Sequence, residues 1–446
     1  MLPVTVILVL ITVLAGCATR SVFNPYPSQA QEWRSAVTAS STPSRLQQGS
    51  TSRDAPLYLQ ELGRVALLQG DTATSREAFA KAIQRYDQQD AAARVQGSSL
   101  VAGTTSLLTN DNALPYRVPD YERIFAHAYQ ALNYWLDNDA EGAAVELRAA
   151  ALEQQVAAQR RDREIARAEE AAKEEGVNLS EFDSQFAALN TAAGEVKASF
   201  QNAWTFYVSA LFWEAQGDLN AARVDLIKAL EIHPQLDFLQ RDLKRVDAAM
   251  SGRRESGGQL AVFFEQDFVP ARDEFSLFIP TIHGSFAIAF PTYFPQNKPA
   301  PRPLQVRLAD GRSLFQTAVL ADVGGLAARD LQERRNGMLV RQVMRASTKY
   351  NLQQRANEDF GIIGAFATQL YNLVSEQADR RSWLTLPAYA QAGSVRLPAG
   401  DYRITLQVAG VTRDLDVTIV DQGLTAIHVV AVPGDVIVRT LPRQEG

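Results

Sequence analysis

The chain changes its hydrophobic period once, at Ser251-Gly252-Arg253-Arg254-Glu255-Ser256-Gly257-Gly258, and this change limits the fold more than any other feature. Ahead of that polar junction, apolar residues recur at helical spacing. Behind it, short apolar or alternating runs are separated by turns bearing Pro and Gly. Helices gathered in one half and strands in the other predict an α+β chain of several domains, with a helical domain over 55–250 and a β-rich domain over 259–446.

Within the helical half, one pattern returns. Phe206 to Pro234 carries Ala210, Trp213, Gly217-Asp218, Ala222, Leu226, Ala229-Leu230 and a closing His233-Pro234. Leu59 to Tyr86 repeats it around Gly70-Asp71, and His127 to Ala150 repeats it around Asn138-Asp139. Two antiparallel helices that cross closely need Gly or Ala at the contact, and a Gly-Asp turn ends one helix and caps the next. These stretches resemble tetratricopeptide repeats (TPR), which implies a TPR-like α-solenoid. The turns at Gly70 and Asn138 lie 68 residues apart, about two repeat periods, so a further hairpin fits between them. Stacked hairpins build a core that none has alone and leave a concave groove for a protein partner. Tyr121, Tyr129, Tyr134, Trp135, Trp204 and Tyr207 are the candidate contacts in that groove, with core packing as their alternative. Near 153–199 the chain is rich in Ala and charge, including Arg160-Arg161 and Lys173-Glu174-Glu175, and predicts two long inserted helices with a solvated charged face.

In the second half, strands are expected over Gln259 to Glu265, Phe275 to Ile279, Ser285 to Phe290 and Leu304 to Leu308, then again over Val395 to Leu397, Tyr402 to Ala409, Thr412 to Val420 and Thr425 to Val432. The pattern suits an antiparallel β-sandwich-like domain. Two helices interrupt it near 325–376: Gly325 to Lys349, with a face bearing Arg329, Arg334, Arg335, Arg341 and Arg345, and Glu358 to Glu376, apolar nearly all round.

Cys17, the single cysteine, closes Val13-Leu14-Ala15-Gly16-Cys17 behind an apolar run too short to span a bilayer. Leu14-Ala15-Gly16-Cys17 resembles the bacterial lipobox. That resemblance implies a signal peptide over 1–16, a lipid-bearing Cys17, and an anchor of two or three acyl chains. Met1 to Gly16 holds no Lys or Arg, which leaves open whether Met1 is the true start. Ala18 and Thr19 follow where inner-membrane lipoproteins carry Asp, so the resemblance points to the outer membrane, facing the periplasm. Over 17–54 the Ser-, Pro-, Gln- and Thr-rich composition predicts a disordered tether.

Composition narrows the chemistry. Net charge is −6, distributed as −7 over residues 1–255 (25 basic, 32 acidic) and +1 over the rest (19 basic, 18 acidic), and no basic patch points to nucleic acid. With Cys17 acylated, no thiol remains for a disulfide, a nucleophile or a metal. His127, His233, His283 and His428 lack metal-ligand spacing and are expected as packed or surface residues, so neither a metal nor a cofactor is implied. Glu265, Asp267, Asp273 and Glu274 are the acids a hydrolase would use, but they fall in an apparent loop, and no nucleophile elbow, His-Glu-x-x-His or phosphate loop accompanies them.

Asp120-Tyr121-Glu122-Arg123 leading into Tyr129-Gln130-Ala131-Leu132-Asn133-Tyr134, Glu376 to Pro387, and Leu397-Pro398-Ala399-Gly400 together resemble a family of uncharacterised bacterial TPR lipoproteins. Members are commonly encoded beside small lipoproteins similar to outer-membrane activators of penicillin-binding proteins. The resemblance implies a non-enzymatic scaffold or adaptor in cell-envelope or peptidoglycan assembly, with such an activator among its protein partners. An assembly factor of a secretion or surface apparatus is the alternative, and a glycan or peptide hydrolase a distant third. Asp379, Arg381 and Trp383 are the most distinctive positions in these motifs, either bracing the helix-to-strand junction or touching a ligand.

Overall fold

The computed structural model describes residues 25–39, 41–96, 112, 114–281, 284–344 and 377–443. It is a mixed helical and sheet structure. After a 3-10 turn at Tyr26–Gln29 come α1 (Ala30–Ala36), α2 (Ser44–Gly49), α3 (Ala55–Gln69), α4 (Thr72–Gln96), α5 (Asp120–Leu136), α6 (Ala140–Glu174), α7 (Ala187–Ala193), α8 (Ala203–Ala215), α9 (Leu219–Ile232) and α10 (Asp237–Met250). Three helix pairs pack as hairpins, α3 with α4, α5 with α6 and α8 with α9. Their turns use the same device. Gly70, Asn138 and Gly217 take positive φ, and the next residue, Asp71, Asp139 or Asp218, accepts a bond from the backbone N–H three positions on. That carboxylate satisfies an orphan donor at the start of the second helix. The further hairpin expected between Gly70 and Asn138 falls partly on 97–111, outside the described residues.

The strands follow as β1 (Gly258–Gln266), β2 (Asp273–Thr281), β3 (Gly284–Thr292), β4 (Gln305–Leu308), β5 (Ser313–Gln316), β6 (Ala318–Asp322), β7 (Tyr389–Leu397), β8 (Gly400–Val408), β9 (Val411–Ile419), β10 (Leu424–Val432) and β11 (Asp435–Thr440). A helix, α11, runs over 323–344. The second expected helix, Glu358 to Glu376, lies outside the described residues. A five-stranded sheet has the order β11-β10-β1-β7-β6, a four-stranded sheet the order β5-β4-β8-β9, and β2 pairs with β3 alone. Pairing is antiparallel except between β1 and β10, which run parallel with Phe263 opposite His428. That one parallel pair departs from the all-antiparallel expectation. It joins strands about 160 residues apart, and no local turn signal announces such a partnership.

Strand β1 shows how the layers are built. Leu260, Val262 and Phe264 point into a core shared with Val306, Ile404, Leu406, Val417 and Ile427 between the two larger sheets. Ala261, Phe263 and Glu265, on the opposite face by the period-two rule, point into the core shared with the helices. Phe263 meets the rings of Trp135, Trp204 and Tyr207 at centroid distances of 6.4, 6.4 and 6.2 Å. The five-stranded sheet therefore packs directly on the helices through this face.

Two expectations are corrected here. The stretch predicted as a tether over 17–54 is helical from residue 26 and packed: Trp33 is 0% exposed, its ring 4.9 Å from Tyr26 and 5.7 Å from Tyr58. Arg34 also donates from Nε to Leu384 O (3.0 Å) and from Nη2 to Val269 O. Polar composition averaged over the segment hid the few large residues, Tyr26, Trp33, Val37 and Leu46, that anchor it. The expected pair of long helices within 153–199 is instead the last part of α6, one continuous helix from Ala140, followed by a 3-10 segment and the short α7. Its charges are not all solvated. Arg161 is buried, 2.8 Å from Glu333 and 3.1 Å from Asp330 of α11, and Arg160 pairs with Asp120. Sequence spacing shows i to i+4 partners only, so pairs to a helix about 170 residues away were invisible.

Candidate functional site

The aromatic residues expected to face a partner do not. Tyr121, Tyr129, Trp135, Trp204 and Tyr207 are buried, and Tyr134 is half-buried with the Arg76 guanidinium 4.2 Å from its ring centre. They pack against each other and the sheet, so they are corrected from contact residues to core.

Asp379, Arg381 and Trp383 lie on the segment entering β7. Arg381 donates from Nε and Nη2 to the Asp379 carboxylate (both 2.8 Å), and from Nη1 to Asp54 (2.7 Å) and to Leu114 O (2.9 Å). Trp383 is wholly buried, its backbone N–H bonded to Glu122 (3.0 Å) and its indole N–H to Thr385 Oγ1 (3.0 Å). Glu61 receives the backbone N–H groups of Leu384 and Thr385 and the Thr385 hydroxyl. Burial pushes Glu61 up to about 8 and raises Glu122 as well.

The acids weighed for hydrolysis do not converge. Glu265 sits on β1 rather than in a loop, sealed at 0% exposure. Its carboxylate pairs with Arg64 of α3, receives the Tyr129 hydroxyl (3.1 Å) and lies 2.7 Å from His428 Nε2. Burial works to raise Glu265, but Arg64 and His428 outweigh it and hold the carboxyl below its usual range. Burial lowers His428, leaving a neutral ring to donate. Asp267 is drawn to Arg302, while Asp273 and Glu274, on β2, lie about 4.0 and 3.9 Å from Arg380. Of the remaining histidines, His127 pairs with Glu146 (2.6 Å) and His233 Nε2 bonds to Leu320 O (3.0 Å), while His283 lies outside the described residues. Among the described residues no cluster of His, Cys, Asp or Glu has a metal-binding arrangement.

The open feature is a cleft of about 580 Å³ between α6 and α11, floored by the segment before α5 and the loop between β1 and β2. Apolar wall comes from Leu114, Tyr116, Leu331, Met338 and Val340. Charge comes from Arg117, Arg167, Arg272, Arg334, Arg341 and Arg381 against Glu164, Glu333 and Asp379, six cations to three anions. Most of these are already engaged. Arg117 meets Glu164 at 3.2 Å, Arg334 pairs with Asp330, Arg381 holds Asp379, and Glu333 faces Arg161.

Arg272 is 5% exposed, and among the described residues it donates from Nη1 to the Asp379 carbonyl (3.3 Å). Its Nε and Nη2 are buried without a hydrogen-bond partner. Sequence reasoning passed over Arg272, a single arginine in Pro270-Ala271-Arg272-Asp273. Its neighbours, Tyr116, Tyr121, Tyr293 and Asp379, come from distant parts of the chain, and no sequence signal reports that.

Compared with models of known protein families, with curated proteins and with solved structures, the chain matches none.

Proposed function

We propose that this chain is a lipid-anchored, periplasm-facing outer-membrane protein that works by holding a partner in cell-envelope or peptidoglycan assembly, with the α6–α11 cleft as its contact site. The cleft between α6 and α11 carries the reading, because an open concavity of about 580 Å³ with apolar wall from Leu114, Leu331 and Met338 and charge from Glu164, Arg167 and Arg341 is a place where a partner can be held. The anchor rests on Leu14-Ala15-Gly16-Cys17. Among the described residues no helix is long and apolar enough to cross a membrane. Two His–Glu pairs lie close among the described residues, His127 with Glu146 and Glu265 with His428, and the second is sealed between helices and sheet where no substrate reaches it, which supports binding over turnover there.

In this reading the hairpins are a TPR-like array whose concave side is occupied by the chain's own β-sandwich-like layer, so partners meet the cleft rather than the groove. The family of TPR lipoproteins and a penicillin-binding-protein activator as partner belong to the same proposal. Service to a secretion or surface apparatus differs only in the partner.

The test is photocrosslinking in intact cells from Leu114 and Met338 on the cleft wall, with fractionation of the same membranes. A cell-wall synthase or its lipoprotein activator is expected in the adducts of the outer-membrane fraction. Secretion components would move the assignment to the alternative. No adduct from either position, or peptidoglycan turnover by the purified chain, would overturn the reading. In the same cells Cys17→Ala should remove most of the protein from the outer-membrane fraction, since acylated Cys17 is the proposed anchor. Unchanged membrane association would remove the anchor from the proposal.

A further inference from the structure

We infer that the cleft takes an acidic stretch of a partner protein, an extended segment with two neighbouring Asp or Glu residues followed by apolar ones. Its carboxylates meet Arg167 and Arg341, and its apolar side chains lie along Met338 and Leu331. The inference rests on the cleft being the contact site.

Which cations are open to a ligand decides the class of partner. Four of the six lining arginines are committed within the chain. Arg117 pairs with Glu164, Arg334 with Asp330, and Arg381 with both Asp379 and Asp54, while Arg272 is enclosed beside Asp379. Arg167 of α6 and Arg341 of α11 are exposed, and among the described residues neither forms an ion pair. The two lie near one crossing of the helices. A β-carbon at Gly337 of α11 would stand 3.7 Å from the Ala168 methyl and 3.6 Å from Arg341 Nη1, so the Arg341 guanidinium reaches toward the turn of α6 that carries Arg167. Two accessible guanidiniums on facing walls call for a partner that brings two negative charges. Carboxylates suit them, because the planar fork of arginine receives both oxygens at once.

The walls choose a peptide over a lipid. Along α11 the lining alternates by helical turn, Leu331, Arg334, Met338, Arg341, so no apolar run extends beyond about one turn. An acyl chain needs a continuous track. An extended peptide does not, since its side chains point alternately to two sides and recur on one side about every 7 Å. One acid of a neighbouring pair therefore faces Arg341 while the next faces Arg167. The following side chain on the α11 side arrives near Met338, and the one after it near Leu331, where apolar residues fit. Ala168 and Ala171 leave room on the α6 side. A cleft of about 580 Å³ accommodates a few residues in this form. Exposed ion pairs are individually weak and fade with salt, so acids and apolar side chains bind together or not at all.

The purified full chain is titrated calorimetrically with acetylated, amidated pentapeptides that carry Asp or Glu at the first two positions, Leu, Val or Met at the third and fifth, and Ala at the fourth. Counterpart sets replace the acids by Asn and Gln, or the apolar residues by Ser, and phosphatidylglycerol vesicles stand in for a lipid surface. The acidic set should bind about tenfold more tightly than either counterpart at low salt, with the advantage over the Asn and Gln set shrinking at high salt. Arg167→Gln with Arg341→Gln should cost the acidic set a similar factor, leave the Asn and Gln set unchanged, and leave the melting temperature as it was, because both positions are exposed. Equal binding of acidic and neutral sets, equal losses for both in the double variant, a stronger response to vesicles than to any peptide, or no peptide binding would each overturn the inference. Adducts from Leu114 and Met338 should fall several-fold in cells carrying the double variant. Adducts that persist there at the parental level would keep the cleft as contact site and remove only the acidic segment.

Discussion

Glu265→Ala is expected to lower the unfolding free energy by about 3–5 kcal/mol, a large part of what a folded chain has in reserve. The substitution takes the anion out of a cluster in which every member is wholly buried. Arg64 would keep its charge with the Tyr129 ring, 4.2 Å from the guanidinium carbon, as its main company. Its Nε and Nη1 already lack hydrogen-bond partners. Tyr129 and the neutral His428 would each lose the acceptor their hydrogens use. Pairing Glu265→Leu with Arg64→Met should recover much of the loss, because well-packed apolar residues often replace a buried ion pair without penalty, whereas half a pair is always costly. Urea unfolding followed by circular dichroism checks both. A loss below about 1 kcal/mol for Glu265→Ala would mean that water or another cation reaches the site, and the picture of a sealed brace between α3, β1 and β10 would be wrong.

The same cluster shows which parts of this molecule can be inferred from residues alone. The hairpin turns are local: a Gly or Asn that tolerates positive φ followed by a capping Asp is complete within four residues, so Gly70-Asp71, Asn138-Asp139 and Gly217-Asp218 are visible without tertiary context. Strands β8 and β9 announce themselves by alternation and β1 and β10 as short apolar runs, and the change of period at Ser251 to Gly258 separates them from the helices. Glu265 was visible only as one acid among four. Its meaning comes from Arg64, Tyr129 and His428, which approach from 201, 136 and 163 residues away. The groove aromatics failed for a related reason. A Trp or Tyr on a helical repeat looks the same whether it faces a partner or the chain's own sheet, and that Trp204 and Tyr207 meet Phe263 of β1 is a long-range contact that no local pattern reports.

Raising the pH from 5 to 9 should cost the fold up to about 4 kcal/mol through Glu61, and Glu61→Gln should remove that loss. Burial drives this shift: the carboxyl, wholly enclosed beneath the segment entering β7, is pushed from 4.5 to about 8 despite the donors of Leu384 and Thr385. The folded chain therefore binds a proton that the unfolded chain gives up near pH 4.5. In that interval the folded state holds more protons, so stability declines with pH, being complete below about 4.5 and exhausted as pH passes about 8. Glu122, also raised by burial, and Asp242, pushed up to about 6, act in the same direction. Glu265 and Asp379 act in the opposite one. Their carboxyls are held low against the effect of burial, by Arg64 and Arg381 respectively, so their contribution is present at neutral pH and lost on acidification. Together the two sets predict a stability maximum in the mildly acidic range, with an alkaline limb dominated by Glu61. Unfolding midpoints in urea at half-unit intervals from pH 4 to 9.5, for the parent and Glu61→Gln, measure that limb directly. Parallel curves would show that Glu61 is ionised throughout, its charge stabilised by the Leu384 and Thr385 amides and the Thr385 hydroxyl, and the link between α3 and the entry to β7 would then be a pH-independent clamp.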